Sequence, residues 1–191
     1  CRDSFSHYNR ATMSHRAVFL DRDGVLIHDS NYVGHVDQVT IFDGAGAAVQ
    51  RLQAAGFHVF VVTNQSGIGR GYFTREAMEE IHALLDREFA QAGGKIERYF
   101  VCPHHPEDNC DCRKPSPKFL RQAAQEFGLD LSQSFMVGDR ISDVQCGQSA
   151  GARGILVLTG AGAETLSKGE VKPDHVAANV AAAADWILQQ R

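Results

Sequence analysis

Five short runs of aliphatic and aromatic residues alternate along the chain with stretches of helical spacing. The runs are Ala17–Leu20, Phe57–Val62, Tyr99–Val101, Ser134–Val137 and Gly154–Leu158, each of strand length. Between them, Ala45, Ala48, Val49 and Leu52 recur at helical spacing ahead of Gly56. Met78, Ile81, Leu84, Leu85 and Phe89 do so after Thr74, an N-cap candidate with Glu76 in the first turn. Leu120, Ala123, Ala124 and Phe127 run up to Gly128, and Asn179 opens a last helix through Val180, Ala183, Ala184 and Ile187. Residues 161–172 form the loosest stretch. This alternation predicts an α/β fold: right-handed βαβ crossovers building a Rossmann-like parallel sheet with helices on both faces. Such sheets hold ligands at the carboxyl ends of their strands. Asp21-Arg22-Asp23, Thr63-Asn64-Gln65 and Gly138-Asp139 each directly follow a strand run, so three strands deliver polar side chains to one edge.

A chain of 191 residues suffices for one domain with a real core, and 43% apolar against 22% charged residues excludes wholesale disorder. A net charge of −4 argues against a nucleic-acid or anionic-lipid surface. The densest apolar run, Phe57–Val62, is far short of the roughly 18 residues a membrane span needs. The first fifteen residues lack the hydrophobic stretch of a secretory signal; residues 1–15 are expected to be a flexible extension or tag ahead of a single domain over 16–191. Five cysteines, three of them between Cys102 and Cys112, fit a reducing cytoplasm better than a disulfide framework.

On an extended strand, Asp21 and Asp23 point to the same side, and Gly24 then allows a sharp turn. Two carboxylates in different surroundings can divide the work, one as nucleophile or metal ligand and one as acid. The plainer reading of the motif is a hydrated turn. Thr63 can offer a hydroxyl and an amide to an anionic oxygen, and Lys114 a compact charge suited to phosphate. Gly138-Asp139-Arg140-Ile141-Ser142-Asp143 adds two acids at a helix start. Singly, Asp139 fits a helix cap and Lys114 a solvated charge; their order after successive strands makes the set informative. Carboxylates Asp21, Asp23, Asp139 and Asp143, with phosphate oxygens and water, suit Mg²⁺. Separately, Cys102, His104, Cys110 and Cys112 place four N/S ligands in an eleven-residue loop, enough to close a structural tetrahedral Zn²⁺ site, with His105 as substitute for His104. Free thiols or a strained Cys110–Cys112 disulfide are the alternatives. A metal-folded loop would position Arg113 and Lys114 at the cleft. Cys1 falls in the tail and Cys146 on a helix face.

Asp21-x-Asp23-Gly24, Thr63, Lys114 and Gly138-Asp139…Asp143 resemble the four motifs of the haloacid dehalogenase (HAD) superfamily of phosphotransferases, over Arg16 to about Leu158. The resemblance implies the HAD fold with a minimal cap, an aspartyl phosphate on Asp21, and acid–base work by Asp23. It also implies phosphoryl contacts from Thr63 and Lys114, and Mg²⁺ at Asp139 with Asp143 behind it. The zinc loop resembles two branches: phosphatases that remove the C7 phosphate of D-glycero-D-manno-heptose 1,7-bisphosphate for lipopolysaccharide-type heptose precursors, and histidinol-phosphate phosphatases. Thr63–Phe73 and Asp29–Val33 are more similar to the heptose branch. That likeness implies substrate contacts from Asp29, Ser30, Asn31, Tyr32, Asn64, Gln65, Ser66, Arg113 and Arg140. Arg70, Arg113 and Arg140 are the cations available to a second phosphate. The expected partner is therefore a small sugar bisphosphate, met by a monomer. A receiver domain storing an aspartyl phosphate is the non-enzyme alternative; receivers tend to carry adjacent acids after the first strand and an acceptor after the third, where this chain has Cys102. A zinc-organised nucleic-acid module would need a basic stripe that this chain lacks.

Overall fold

A computed structural model of the chain describes residues 15–190. Residues 1–14 of the expected extension lie outside them. His15 pairs with Leu129. Six strands form one all-parallel sheet in the order β3-β2-β1-β4-β5-β6. They are β1 (Arg16–Leu20), β2 (Phe57–Asn64), β3 (Arg98–Cys102), β4 (Phe135–Gly138), β5 (Arg153–Val157) and β6 (His175–Ala177). The helices are α1 (Ala45–Ala54), α2 (Ser66–Gly69), α3 (Arg75–Gln91), α4 (Lys118–Phe127), α5 (Ile141–Ala150), α6 (Gly162–Lys168) and α7 (Val180–Leu188).

The period of two along each strand creates two cores. Val18 and Leu20 of β1, with Val59, Val61, Val137 and Ile155, meet α1, α3 and α7 through Leu52, Ile81, Leu85 and Ile187. The intervening Ala17, Phe19, Phe60, Val62 and Met136 meet α4 and α5 through Leu120, Ala123 and Cys146 on the other face. Burial of each large side chain stabilises the fold by about 1.5–3 kcal/mol, so neither face can be left uncovered. The caps follow the sequence: Thr74 Oγ1 accepts from Ala77 N at 3.2 Å, and Asn179 Oδ1 from Ala182 N at 3.0 Å.

The sequence does not announce α2, α6 or β6. Residues 161–172 contain α6, a helix without an apolar stripe. A Glu164–Lys168 pair at 2.7 Å supports it, and Thr165 Oγ1 donates to the Asp139 carbonyl at 2.9 Å. β6 has three residues and no apolar run to announce it; pairing along β5 makes it a strand. No described helix is long and apolar enough to cross a membrane.

The strand order reverses between β1 and β4, and in an open parallel sheet the crevice beyond that point is where a ligand fits. The chain leaves β1 in a tight coil, with Leu26 N donating to Arg22 O at 2.9 Å. It then makes an excursion over residues 28–40, closed where Ile27 bridges Ile41. That excursion forms a flap whose residues Asp29, Asn31, Tyr32 and Val33 face the crevice.

Candidate active site

Beyond the ends of β1, β2 and β4 lies a cleft of about 420 Å³, lined by residues that include Asp21, Asp23, Thr63, Lys114 and Asp143. Asp21 is held from both directions. Its N–H donates to Val137 O at 2.9 Å, stitching it to β4. Its Oδ1 accepts from Arg22 N at 2.7 Å and lies 2.9 Å from Lys114 Nζ. Among the described residues Oδ2 has no hydrogen-bond donor, which leaves it facing the cleft. Lys114 is buried and bridges three chain segments: its ammonium donates to Val62 O at 2.7 Å and meets Asp143 Oδ1 at 2.7 Å as well as Asp21. Asn64 fixes the lysine's backbone, accepting from Lys114 N at 3.0 Å and donating to Lys114 O at 3.2 Å.

Asp21, Asp139 and Asp143 gather with one oxygen each within 4.8 Å of the others, all buried. Asp143 Oδ2 caps α5 by accepting from Arg140 N at 2.9 Å, and Asp139 Oδ2 accepts from Ala161 N at 2.8 Å. Asp139 Oδ1 is buried with no partner, and Arg140 Nε, at 4.0 Å, is too far to bond it. Three carboxylates around one ammonium, with an orphaned oxygen among them, form a donor set suited to a small hard cation. The pKa directions agree. Burial raises the Asp21 carboxyl to about 7 against the opposing pull of Lys114, and burial raises Asp139 to about 6. The cradle is tight: a Cβ on Gly24, whose φ is +82°, would sit 2.3 Å from Asp139 Oδ2, and so would one on Gly160.

The rim comes from the flap. Asp29 Oδ2 accepts from Arg140 Nη2 at 2.9 Å, tying the flap to the start of α5 across the cleft. Asn31 and Tyr32 sit in left-handed backbone, with φ of 58° and 59°, and both line the cleft. Arg113 lines it too, with Nη1 buried and without a partner among the described residues.

Beside the cleft, the four residues of the expected zinc loop converge. Cys102 Sγ lies 3.5 Å from Cys110 Sγ and 3.7 Å from His104 Nδ1. Cys112 Sγ lies 3.3 Å from His104 Nδ1 and 3.8 Å from Cys110 Sγ. With bonds of about 2.0–2.3 Å, the edges of a tetrahedral S₃N site come to roughly 3.5–3.8 Å, so the four atoms fit zinc. All three thiols are free. Burial would raise the Cys110 thiol, but hydrogen bonds from Cys102 and the Cys112 and Arg113 amides outweigh it and bring the group to about 7. His105 is engaged elsewhere, its Nδ1 accepting from Glu107 N at 3.2 Å, which leaves His104 as the nitrogen ligand.

A HAD-hydrolase-like family model matches residues 111–183. A D-glycero-beta-D-manno-heptose-1,7-bisphosphate 7-phosphatase from Pseudomonas aeruginosa is 40% identical over 178 residues, 93% of this chain and 100% of that protein. The chain belongs to the HAD-like phosphatase family. A second such enzyme, from Neisseria meningitidis, is 43% identical over 84% of this chain and 87% of its own length. The crystal structure of the D,D-heptose 1,7-bisphosphate phosphatase from B. bronchiseptica, complexed with magnesium and phosphate, superposes with a TM-score of 0.88 at 38% identity. It covers 92% of this chain and 99% of that one.

In this phosphatase the structure brings most of the expected residues together and separates a few. Asp23 lines the cleft outside the three-carboxylate group, with Oδ2 accepting from Arg22 and Gln65 and Oδ1 from Arg22. Ser30 and Arg70 are not on the cleft wall. Ser30 is exposed, and the Arg70 guanidinium rests 6.0 Å from the ring centre of Tyr32, a cleft residue. Ser66 lines the wall as expected, and so does Ser142, which the sequence reading passed over. Arg22, also passed over, is the largest fully buried side chain and sits among the functional residues. An arginine between two acids is the one signal that could have marked it.

Proposed function

We propose that this phosphatase removes the C7 phosphate of D-glycero-D-manno-heptose 1,7-bisphosphate and leaves the C1 phosphate in place. The carrying observation is Arg113: a cleft-lining guanidinium whose Nη1 is buried without a partner among the described residues, next to the lysine that already serves the reacting centre. Asp21, Thr63 and Lys114 can seat one phosphoryl group; a free fork beside them is what a second phosphate needs. The identities to heptose-bisphosphate phosphatases over nearly the whole chain support the same reading. Histidinol phosphate would want an unpaired carboxylate for its amine, and Asp29, the available acid, is paired with Arg140.

The chemistry follows from the contacts. Asp21 Oδ2, free of donors, attacks phosphorus while the bond from phosphorus to the C7 oxygen breaks. The electron pair leaves with that oxygen, which takes a proton from Asp23. Water then attacks phosphorus, giving its proton to the Asp23 carboxylate, and inorganic phosphate leaves with the Asp21 carboxylate restored. Lys114 keeps the nucleophile oriented and neutralises charge gathering on the phosphoryl oxygens, and Thr63 donates its hydroxyl to one of them. Asp21 and Asp139, backed by Asp143, would hold Mg²⁺, which supplies charge stabilisation to the transferring group. Cys102, His104, Cys110 and Cys112 would hold Zn²⁺ as a structural ion that sets the position of Arg113. The reading places a monomeric enzyme in the reducing cytoplasm, in keeping with its free thiols.

Phosphate release from the heptose bisphosphate and from histidinol phosphate, measured side by side, tests the proposal. A higher kcat/KM for the bisphosphate is expected, and Arg113→Ala should lower it by about tenfold or more while touching a heptose 7-monophosphate far less. A higher value for histidinol phosphate would overturn the substrate reading.

A further inference from the structure

Arg22 has no solvent-exposed surface and lies behind Asp23, Val33 and Gln65, which line the cleft. Burying a guanidinium is costly unless its donors are matched; Nη1 is buried without a partner among the described residues, and the partners of Nε and Nη2 indicate what the side chain is for. Nε donates to Asp23 Oδ2 at 3.1 Å and Nη2 to Asp23 Oδ1 at 2.9 Å, a fork across both oxygens. Nη2 also reaches Val33 O at 3.2 Å and Gln65 Oε1 at 3.0 Å. The Gln65 amide is thereby oriented: its oxygen faces the arginine, and its Nε2 donates to Asp23 Oδ2 at 2.7 Å and to Thr63 Oγ1 at 2.8 Å. The reverse orientation would set a carbonyl against a carboxylate.

A carboxylate offers about four lone-pair positions, two on each oxygen. On Asp23, Oδ2 has both engaged, by Arg22 and Gln65, and Oδ1 has one engaged, by Arg22. One position is left, on Oδ1, in a side chain that keeps 21% of its surface open. We propose that Arg22 and Gln65 are positioning residues that direct proton transfer through Oδ1 of Asp23. The inference rests on the reading of Asp23 as the proton donor to the leaving alcohol. In that step the phosphorus–oxygen bond breaks, its electron pair stays on the alcohol oxygen, and that oxygen takes the proton from Oδ1. Water attack on the aspartyl phosphate later returns a proton to the same atom. Gln65 thus works on Asp23 and Thr63 from behind, and the two side chains that handle the phosphoryl group and the proton are held by one amide.

The test exploits leaving groups of similar size but different need for a proton. Benzyl phosphate expels an alkoxide that must be protonated; p-nitrophenyl phosphate expels a stable aryl oxide. Asp23→Asn, the reference, should lower kcat/KM for benzyl phosphate about 100-fold more than for p-nitrophenyl phosphate. Arg22→Lys keeps the charge but cannot form the fork, and Gln65→Met keeps length but removes the donor. Each should shift the same ratio in the same direction by about tenfold or more. Combined with Asp23→Asn, each should leave the ratio where that variant alone puts it. Circular dichroism establishes that each variant is folded, and if Arg22→Lys is not, Gln65→Met decides the matter. An equal loss on both esters in a folded variant overturns the positioning role. An Asp23→Asn protein with an unchanged ratio overturns the reading of Asp23 itself, a separate failure.

Discussion

At Asp21 the two carboxylate oxygens have different neighbours: Oδ1 faces a backbone amide and the Lys114 ammonium, while Oδ2 faces the cleft. Asp21→Asn keeps the shape but removes the nucleophile, so steady-state phosphate release should vanish in a protein that still melts cooperatively; a surviving turnover would move the nucleophile elsewhere. The raised pKa values carry a second expectation. In the unfolded chain both carboxyls titrate near 3.9, whereas burial lifts Asp21 to about 7 and Asp139 to about 6 in the metal-free fold. The folded state then binds more protons than the unfolded one between these limits. Its stability is greatest below the unfolded value and is lost as pH rises through 6 to 7. The Tm of EDTA-treated protein should fall between about pH 4.5 and pH 7 and level off above it, and Mg²⁺ should raise it at the upper end; a profile flat across that window would rule out the proposed carboxylate cluster. Gly24→Ala should raise the Mg²⁺ concentration needed for half-maximal activity, because the new methyl meets Asp139 Oδ2. At this scale the acids, Thr63 and Lys114 were legible because each directly follows a strand run or the cysteine loop. The work of Asn64, Gln65 and Arg22 was not, since hydrogen bonds between residues more than forty positions apart leave no local pattern.

Helix α3 shows how an element can carry a pH response of its own. His82 is buried on it, stacked on Tyr99 of β3 with ring centres 4.1 Å apart, and its Nε2 has no partner among the described residues. Burial, aided by the nearby Arg22 charge, lowers its pKa to about 3. The folded state keeps the ring neutral while the unfolded chain protonates it below about 6.5, so stability is present above that value and is lost as pH falls towards 3. Replacing it by His82→Phe should flatten acid unfolding over this window, as followed by far-ultraviolet circular dichroism; an unchanged acid slope would show that the ring is protonated in place. The convergence of Cys102, His104, Cys110 and Cys112 was legible because they span eleven residues, whereas α6 was not, because what holds it is Asp139 and one surface ion pair. Cys110→Ser should lower Tm and raise KM together, since the loop packs against α2: a Cβ on Gly69 would meet His105 N at 2.5 Å. Unchanged KM in a zinc-free variant would separate the loop from the cleft.

For the whole molecule, the alternation of strand and helix announced a parallel sheet, but not that β4 would enter beside β1. That adjacency joins residues more than a hundred positions apart, Val18 to Phe135 among them, and only the fit of the finished layers decides it. It also means that the sheet consists of two consecutive halves, β3-β2-β1 and β4-β5-β6, meeting at one seam. Asp21 and Lys114 belong to the first half, Asp139 and Asp143 to the second. A chain emerging from the ribosome therefore holds a nucleophile with no metal pocket until its last third has been made. Severed between α4 and β4 and co-expressed, the two pieces would each be silent. Phosphate release would report their reunion, a split-enzyme sensor whose signal is the closing of the seam.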